Sequence, residues 1–169
     1  HWYNFRYKAV SDSGEKCIGG AIIDITADKE KDLVIERMAY IDEVTQIYNR
    51  NKFMLMGNEI LECTRDDSSI DYWIIVFDID NFHIINDTCG YANGNLLLRK
   101  FASALSVNVS ESGFAARIGG DNFALIVHTD GDDQLPVRII KSVQADIADI
   151  GGMGLEAQNL TCSAGYCLM

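Results

Sequence analysis

The stretch Tyr72-Trp73-Ile74-Ile75-Val76-Phe77-Asp78-Ile79-Asp80 constrains this chain most: six large apolar residues run without a charge and stop at two carboxylates one residue apart. A short apolar run with β-branched and aromatic members reads as a buried strand. Residues i and i+2 of a strand point to the same side, so Asp78 and Asp80 can converge on one point where the strand leaves the core. Like charges brought together repel unless a cation or hydrogen-bond donors compensate them. That is the shape of a metal site. Oxygen ligands suit magnesium or manganese better than zinc, and the three histidines, His1, His83 and His128, are scattered.

Composition limits the partners. The 169 residues are 48% hydrophobic and 23% charged, ordinary values for one soluble globular domain, and nothing approaches an uninterrupted apolar membrane span. The net charge of −11 argues against a nucleic-acid polymer as partner, since phosphate backbones recruit lysine and arginine. It leaves room for a nucleotide delivered with a divalent cation. Five cysteines (Cys17, Cys63, Cys89, Cys162, Cys167) form no CxxC pair, which suits reduced thiols serving as small core residues in a cytoplasmic setting. The chain opens at His1 without a signal peptide and reads as a fragment.

Along the chain, Trp2 to Val10 alternates in strand fashion, Ser11 to Gly14 reads as a turn, and Cys17 to Thr26 as a returning strand. A lone hairpin is marginal in water, so residues 1–27 are expected to belong to a larger sheet. Asp28 to Glu43 reads as a charged helix. Val34, Met38, Ile41 and Thr45 form a narrow seam suited either to a solvated linker or to a dimerising stalk. Asn49 to Cys63 reads as a helix with Phe53, Met56, Ile60 and Cys63 on one face, ended by Asp66-Asp67-Ser68-Ser69. After the organising strand, Asn93 can cap a helix to about Val107 that buries Leu97, Leu98, Phe101 and Leu105. Phe114 to Ile118 and Phe123 to His128 read as strands joined across Gly119-Gly120-Asp121-Asn122. Asp133 can cap a helix with Pro136 near its first turn and Ile140, Val143 and Ile147 inward, and Leu160 to Leu168 reads as a last strand.

The order β-α-β-β-α-β predicts an α+β fold of the ferredoxin-like split type, an antiparallel sheet with helices packed on it. A right-handed crossover makes the first two strands parallel, which puts the end of the first strand and the hairpin turn at the same edge. Adjacent glycines let backbone N–H groups approach a phosphate without an intervening Cβ. A carboxylate strand end beside a Gly-Gly turn suggests metal-bound triphosphate and phosphoryl or nucleotidyl transfer. Taken singly, each feature reads first as the plainer thing, Gly119 to Asn122 as a hairpin turn and Asp78 as a strand-end solvating group.

Three ordered motifs carry a resemblance. Arg117-Ile118-Gly119-Gly120-Asp121-Asn122-Phe123 resembles the signature of the GGDEF family of diguanylate cyclases. Asp42-Glu43-Val44-Thr45-Gln46-Ile47-Tyr48-Asn49-Arg50 is similar to that family's opening D-x-L-T-G-L-x-N-R, and Phe77 to Tyr91 to its D-I-D-x-F-K-x-I-N-D-x-x-G-H. The resemblance runs from about residue 40 to the end, without the family's final segment of phosphate-contacting basic residues; residues 44–169 are assigned to this domain and 28–43 to a signalling linker helix. The hairpin of residues 1–27, with Gly-Gly-x-x-x-Asp-Ile-Thr at Gly19 to Thr26, resembles the last two strands of a PAS sensor domain.

The GGDEF family condenses two GTP molecules to cyclic di-GMP, one GTP on each domain of a dimer, in a palm or nucleotidyl-cyclase-like fold. The resemblance implies that Asp78, the Ile79 carbonyl and Asp121 bind magnesium or manganese, and that Asp121 and the following position serve catalysis. It places Asn86 and Asn95 at the guanine, Gly119 and Gly120 at the phosphates, and Phe82 and His83 on the nucleotide side. Several residues depart from the pattern. Asn122 replaces the signature's second acid, a weaker ligand that cannot take a proton. Asn95 stands for a guanine-reading aspartate, which weakens guanine preference. His83 replaces lysine, Tyr91 histidine and Gln46 glycine; Ser110 and Gly113 stand where the inhibitory product site has arginine and aspartate. The expectation is a degenerate GGDEF domain of a bacterial-type signalling protein, impaired as a cyclase. It would act as a GTP-binding, dimerising relay between an upstream PAS sensor and a downstream effector. An active cyclase and a vestigial interaction module without nucleotide binding are the alternatives.

Overall fold

The computed structural model describes residues 1–12, 15–66, 71–109, 113–129, 131–151 and 160–169. It divides into two units, His1–Ala39 and Tyr40–Met169.

The first unit contains two strands, β1 (Tyr3–Asp12) and β2 (Glu15–Asp24), which pair antiparallel. Ser11 and Asp12, expected in a turn, extend β1; Ser13 and Gly14 lie outside the described residues. Tyr3, Phe5 and Tyr7 alternate onto one face, with Ile22 opposite Phe5, and all four are exposed. Helix α1 (Thr26–Tyr40) buries none of its residues and exposes Leu33, Val34, Ile35 and Met38. The expected seam is halved, because Ile41 and Thr45 lie beyond the helix. Ile41 bridges to Tyr48, and Thr45 is buried against Asp42.

The second unit holds a five-stranded sheet. Its strands are β3 (Tyr48–Asn49), β4 (Tyr72–Ile79), β5 (Gly113–Gly119), β6 (Asn122–His128) and β7 (Cys162–Leu168), in the order β3-β5-β6-β4-β7. Between them run α2 (Arg50–Asp66), α3 (Phe82–Cys89), α4 (Tyr91–Val109) and α5 (Leu135–Gly151). From β4 onward this is the expected βαββαβ arrangement. Both β4 and β5 run antiparallel to β6, hence parallel to each other. The two-residue β3, parallel to β5, is an addition too short to show any periodicity.

Alternation explains the layers. Ile75, Phe77 and Ile79 of β4 are fully or almost fully buried, as are Phe123, Leu125 and Val127 of β6, on the face that α4 and α5 cover. Phe101 of α4 stands edge-on to Phe77 at 6.0 Å and to Phe123 at 4.7 Å, the aromatic centre of the core. On the opposite face α2 covers β5 and β6: Phe53 meets Phe114 edge-on at 5.9 Å, and the space beside Gly57 is bounded by the Ile126 Cδ1. Val76 on that face stays 45% exposed.

The helix starts differ in detail from expectation. Asn49 caps α2, its Oδ1 accepting from the Lys52 N–H at 3.1 Å. Asn93 lies inside α4, where its amide donates to the Cys89 carbonyl. Asp132, rather than Asp133, accepts from the Gln134 N–H ahead of α5. The turn expected to end α2 falls partly outside the described residues, since 67–70 are not among them.

Candidate active site

The register of β4 fixes what surrounds its acidic end. Asp78 faces Asn122 across β6 and Ser163 across β7, and the Ile79 N–H donates to the Asp121 carbonyl at 3.3 Å. Two stretches more than 40 residues apart in sequence therefore meet at one strand end. The hairpin between β5 and β6 turns through Gly120 and Asp121. Gly120 has φ +57° and Gly119 φ +154°, conformations that favour glycine. A Cβ at either glycine would meet nothing within 4 Å, so the space beside them is open to something outside the chain.

Arg117 holds this hairpin in place. Its Nε and Nη2 donate to the Gly120 carbonyl at 2.9 and 2.7 Å, and its Nη1 reaches both Asp42 oxygens at 3.1 and 3.3 Å. Asp42 also accepts from the Thr45 N–H at 2.8 Å and the Thr45 hydroxyl at 2.7 Å. Burial works to raise the Asp42 carboxyl, but the Thr45 and Arg117 hydrogen bonds and the Arg117 charge outweigh it and leave the pKa lowered. Gln46, the residue after Thr45, has φ +61°, a left-handed backbone that glycine adopts more readily than glutamine. Here the Gln46 side chain offsets the strain by donating to the Glu43 carbonyl at 2.7 Å.

The carboxylates divide their roles. Asp78 is half-buried with its pKa raised, first by burial and then by the charges of Asp121 and Asp80, against the Asn122 amide that donates to it. The same Asn122 Nδ2 lies 3.3 Å from Asp121 Oδ1. Asp80, whose charge also acts on Asp78, is compensated by hydrogen-bond donors of its own. Its Oδ2 accepts from the Thr161 hydroxyl at 2.6 Å and its Oδ1 from the Ser163 hydroxyl at 2.8 Å, which lowers its pKa. Its N–H also bonds the Thr161 carbonyl at 3.0 Å. Asp80 ties β4 to β7.

Beyond Asp80, Asn81 takes a left-handed conformation (φ +57°, ψ 28°) and α3 begins without a side-chain cap. Gly90, at φ +80°, closes α3 with its N–H on the Asn86 carbonyl. The Asn86 side chain then lies over Gly94 of α4. A Cβ there would fall 2.0 Å from Asn86 Oδ1 and 3.3 Å from Phe82 Cζ. Phe82, Asn86 and Gly94 are thus brought together, with half-buried Asn95 next along α4, while His83 is exposed.

The donors present suit a hard divalent cation held jointly with a phosphate. Among the described residues no three His, Cys, Asp or Glu side chains gather into a metal-holding cluster, while the charges of Asp121 and Asp80 act on Asp78 at this edge. Magnesium is commonly held by one or two carboxylates, with phosphate oxygens and water completing its shell. Residue pattern alone gave no role to Thr161, Ser163 or Gly94. For the Arg117–Asp42 contact, 75 positions apart, the only local hint is the Asp-x-x-Thr spacing of a side-chain-capped turn.

Comparison with known proteins identifies the family and the fold. Residues 39–169 match the family model described as "Diguanylate cyclase, GGDEF domain". The chain is 35% identical over 106 residues to "Signaling protein YkoW" of Bacillus subtilis, covering 62% of this chain and 13% of the relative. It is 26% identical over 157 residues to "Cyclic di-GMP phosphodiesterase PdeB" of Shewanella oneidensis, covering 91% of this chain and 17% of the relative. The chain therefore spans less than a fifth of either relative. Among solved structures, the coiled coil and GGDEF domain of DgcB from Caulobacter crescentus in complex with c-di-GMP superposes with a TM-score of 0.72 at 22% identity. That match covers 86% of this chain and 77% of that one and shows the shared fold.

Proposed function

The chain belongs to the GGDEF diguanylate cyclase family, and from that premise we propose that it is a regulatory member that binds GTP with a divalent cation and is impaired as a cyclase. One observation carries this reading: opposite Asp78, where an acid would complete the ligand set, stands the amide of Asn122. Asp78, Asp121 and the Ile79 carbonyl hold magnesium or manganese, which when bound neutralises the triphosphate. Gly119 and Gly120 admit the phosphates into the open space beside them. Asn86 and Asn95, with Phe82 and His83 alongside, take the base. Asn122 cannot accept a proton or add negative charge, so activation of a 3′-hydroxyl falls to Asp121 alone.

In the whole protein, residues 1–27 belong to a PAS sensor. The exposed Val34 and Met38 of α1 contribute to a homodimer, and an effector domain reads the signal in the cytoplasm. Support for such a relay is compositional and architectural: α1 buries nothing within its own chain, and relatives carrying this domain are several times longer. Among the described residues no helix is long and apolar enough to cross a membrane.

The test is the melting temperature with magnesium plus GTP, with magnesium plus ATP, and with magnesium alone. A ligand at 100 times its dissociation constant adds about 2.7 kcal/mol. A shift with GTP and little cyclic di-GMP formed supports the reading. A shift with ATP of the same size assigns Asn95 to relaxed base choice. No shift with either nucleotide defeats it. Robust cyclic di-GMP synthesis would replace it with the active-cyclase reading that the retained Asp78 and Asp121 favour.

A further inference from the structure

The residue that replaces an acid does more than leave a ligand out. Register places Asn122 directly across from Asp78, and its Nδ2 lies 3.3 Å from Asp121 Oδ1 while the same side chain donates to Asp78. A primary amide nitrogen carries two hydrogens, one for each carboxylate. The third nearby carboxylate, Asp80, is withdrawn onto Thr161 and Ser163. We propose that Asn122 is an internal substitute for the cation: its amide bridges Asp78 and Asp121 and must be displaced before a divalent cation can sit between them.

This rests on the reading that Asp78 and Asp121 hold a cation, and it makes a claim that reading does not. If Asn122 were only a poor ligand, truncating it would leave cation affinity unchanged or weaken it. If its amide competes, truncation releases the two carboxylates and strengthens binding. A net hydrogen bond is worth roughly a two- to tenfold change in an equilibrium constant.

The probe is Mn2+ alone, titrated by electron paramagnetic resonance into the chain and into Asn122→Ala, Asn122→Val and Asn122→Asp. Asp78→Asn defines the binding that belongs to other acidic surface groups. Valine keeps the strand preference of the position without a donor, so a fault peculiar to alanine is separable. The expected result is that Ala and Val both bind Mn2+ about two- to tenfold tighter than the parent. Asp should bind tighter still. Melting curves should agree: without cation the Ala and Val proteins melt no higher than the parent, and with Mn2+ they gain more. Parent binding that is stronger than, or equal to, that of Ala and Val overturns the inference while leaving the cation site standing. No binding sensitive to Asp78→Asn in the parent or any Asn122 variant overturns both.

Discussion

Asp42→Asn probes the knot that fixes the hairpin. The Asp42–Arg117 pair is enclosed but not sealed, with side-chain exposures of 21% and 13%. Exposed pairs contribute about 0–1 kcal/mol and broken buried ones cost about 3–5 kcal/mol, so an intermediate loss of about 2 kcal/mol at neutral pH follows. For a unit of this size that is a fall of roughly 6–8 °C in melting temperature. The asparagine keeps an oxygen for Thr45, so the loss reports the charge. Because Asp42 has a lowered pKa, its contribution is fully present above the unfolded carboxyl value and is lost as pH falls through the folded one. Arg117 stays charged throughout, and asparagine does not titrate. Denaturant unfolding of parent and variant at neutral pH and at roughly pH 3 should show a gap that narrows only below about pH 4. No gap at neutral pH, or one that stays constant down to roughly pH 3, would refute the assignment of Arg117 and Asp42 as a charge-dependent clamp.

Other substitutions test other parts of the edge. Asp78→Asn should raise the melting temperature in chelator at neutral pH, because burial and the neighbouring carboxylates oppose its charge. The gain should fade toward acid, where Asp78 is protonated anyway, and cation-dependent stabilisation should vanish, as thermal melts with and without Mg2+ will read. Gly94→Ala gains about 1 kcal/mol of helix preference but puts a methyl 2.0 Å from Asn86 Oδ1. Melting should change by little while nucleotide binding, followed by calorimetry, weakens severalfold. Removing both hydroxyls that hold Asp80, by Thr161→Val with Ser163→Ala, should cost about 1–3 kcal/mol in urea unfolding. A thiol-reactive chromophore at mildly alkaline pH should label exposed Cys63 and Cys167 readily. Cys162, buried with its pKa pushed up to about 11, should stay unlabelled until the protein unfolds.

The sequence carries its fold most clearly where one local period dominates. The apolar run of β4, the Gly-Gly turn and the amphipathic α4 and α5 each announce themselves, and chain order then forces Asp78 toward the hairpin. It is silent where the determinant is not local. Helix α3 starts from a left-handed Asn81 that makes no side-chain cap, so no start signal exists to read. Asn93 has the residue type of a cap yet bonds back to Cys89 inside a helix that began earlier. Asp80 has the spacing of a ligand, and only the position of β7 shows that two hydroxyls claim it. The Ile41–Thr45 half of the α1 seam follows a helical period that the Asp42 turn interrupts.

Strand β4 is paired along its length on both flanks, from Tyr72 to Asp78 with β6 and from Trp73 to Ile79 with β7. Its amides can exchange with solvent only when the middle of the sheet opens, so they should be among the slowest to take up deuterium. The tip carrying Asp121 and Asn122 is held by fewer bonds: the pairing of Asn122 with Asp78, the Ile79 N–H on the Asp121 carbonyl, and the Arg117–Asp42 clamp behind Gly120. One wall of the site is therefore as durable as the fold itself, and the other rests on a few named bonds. Substitution at the tip can retune or silence the chemistry while the half that fixes Asp78 stays where folding put it.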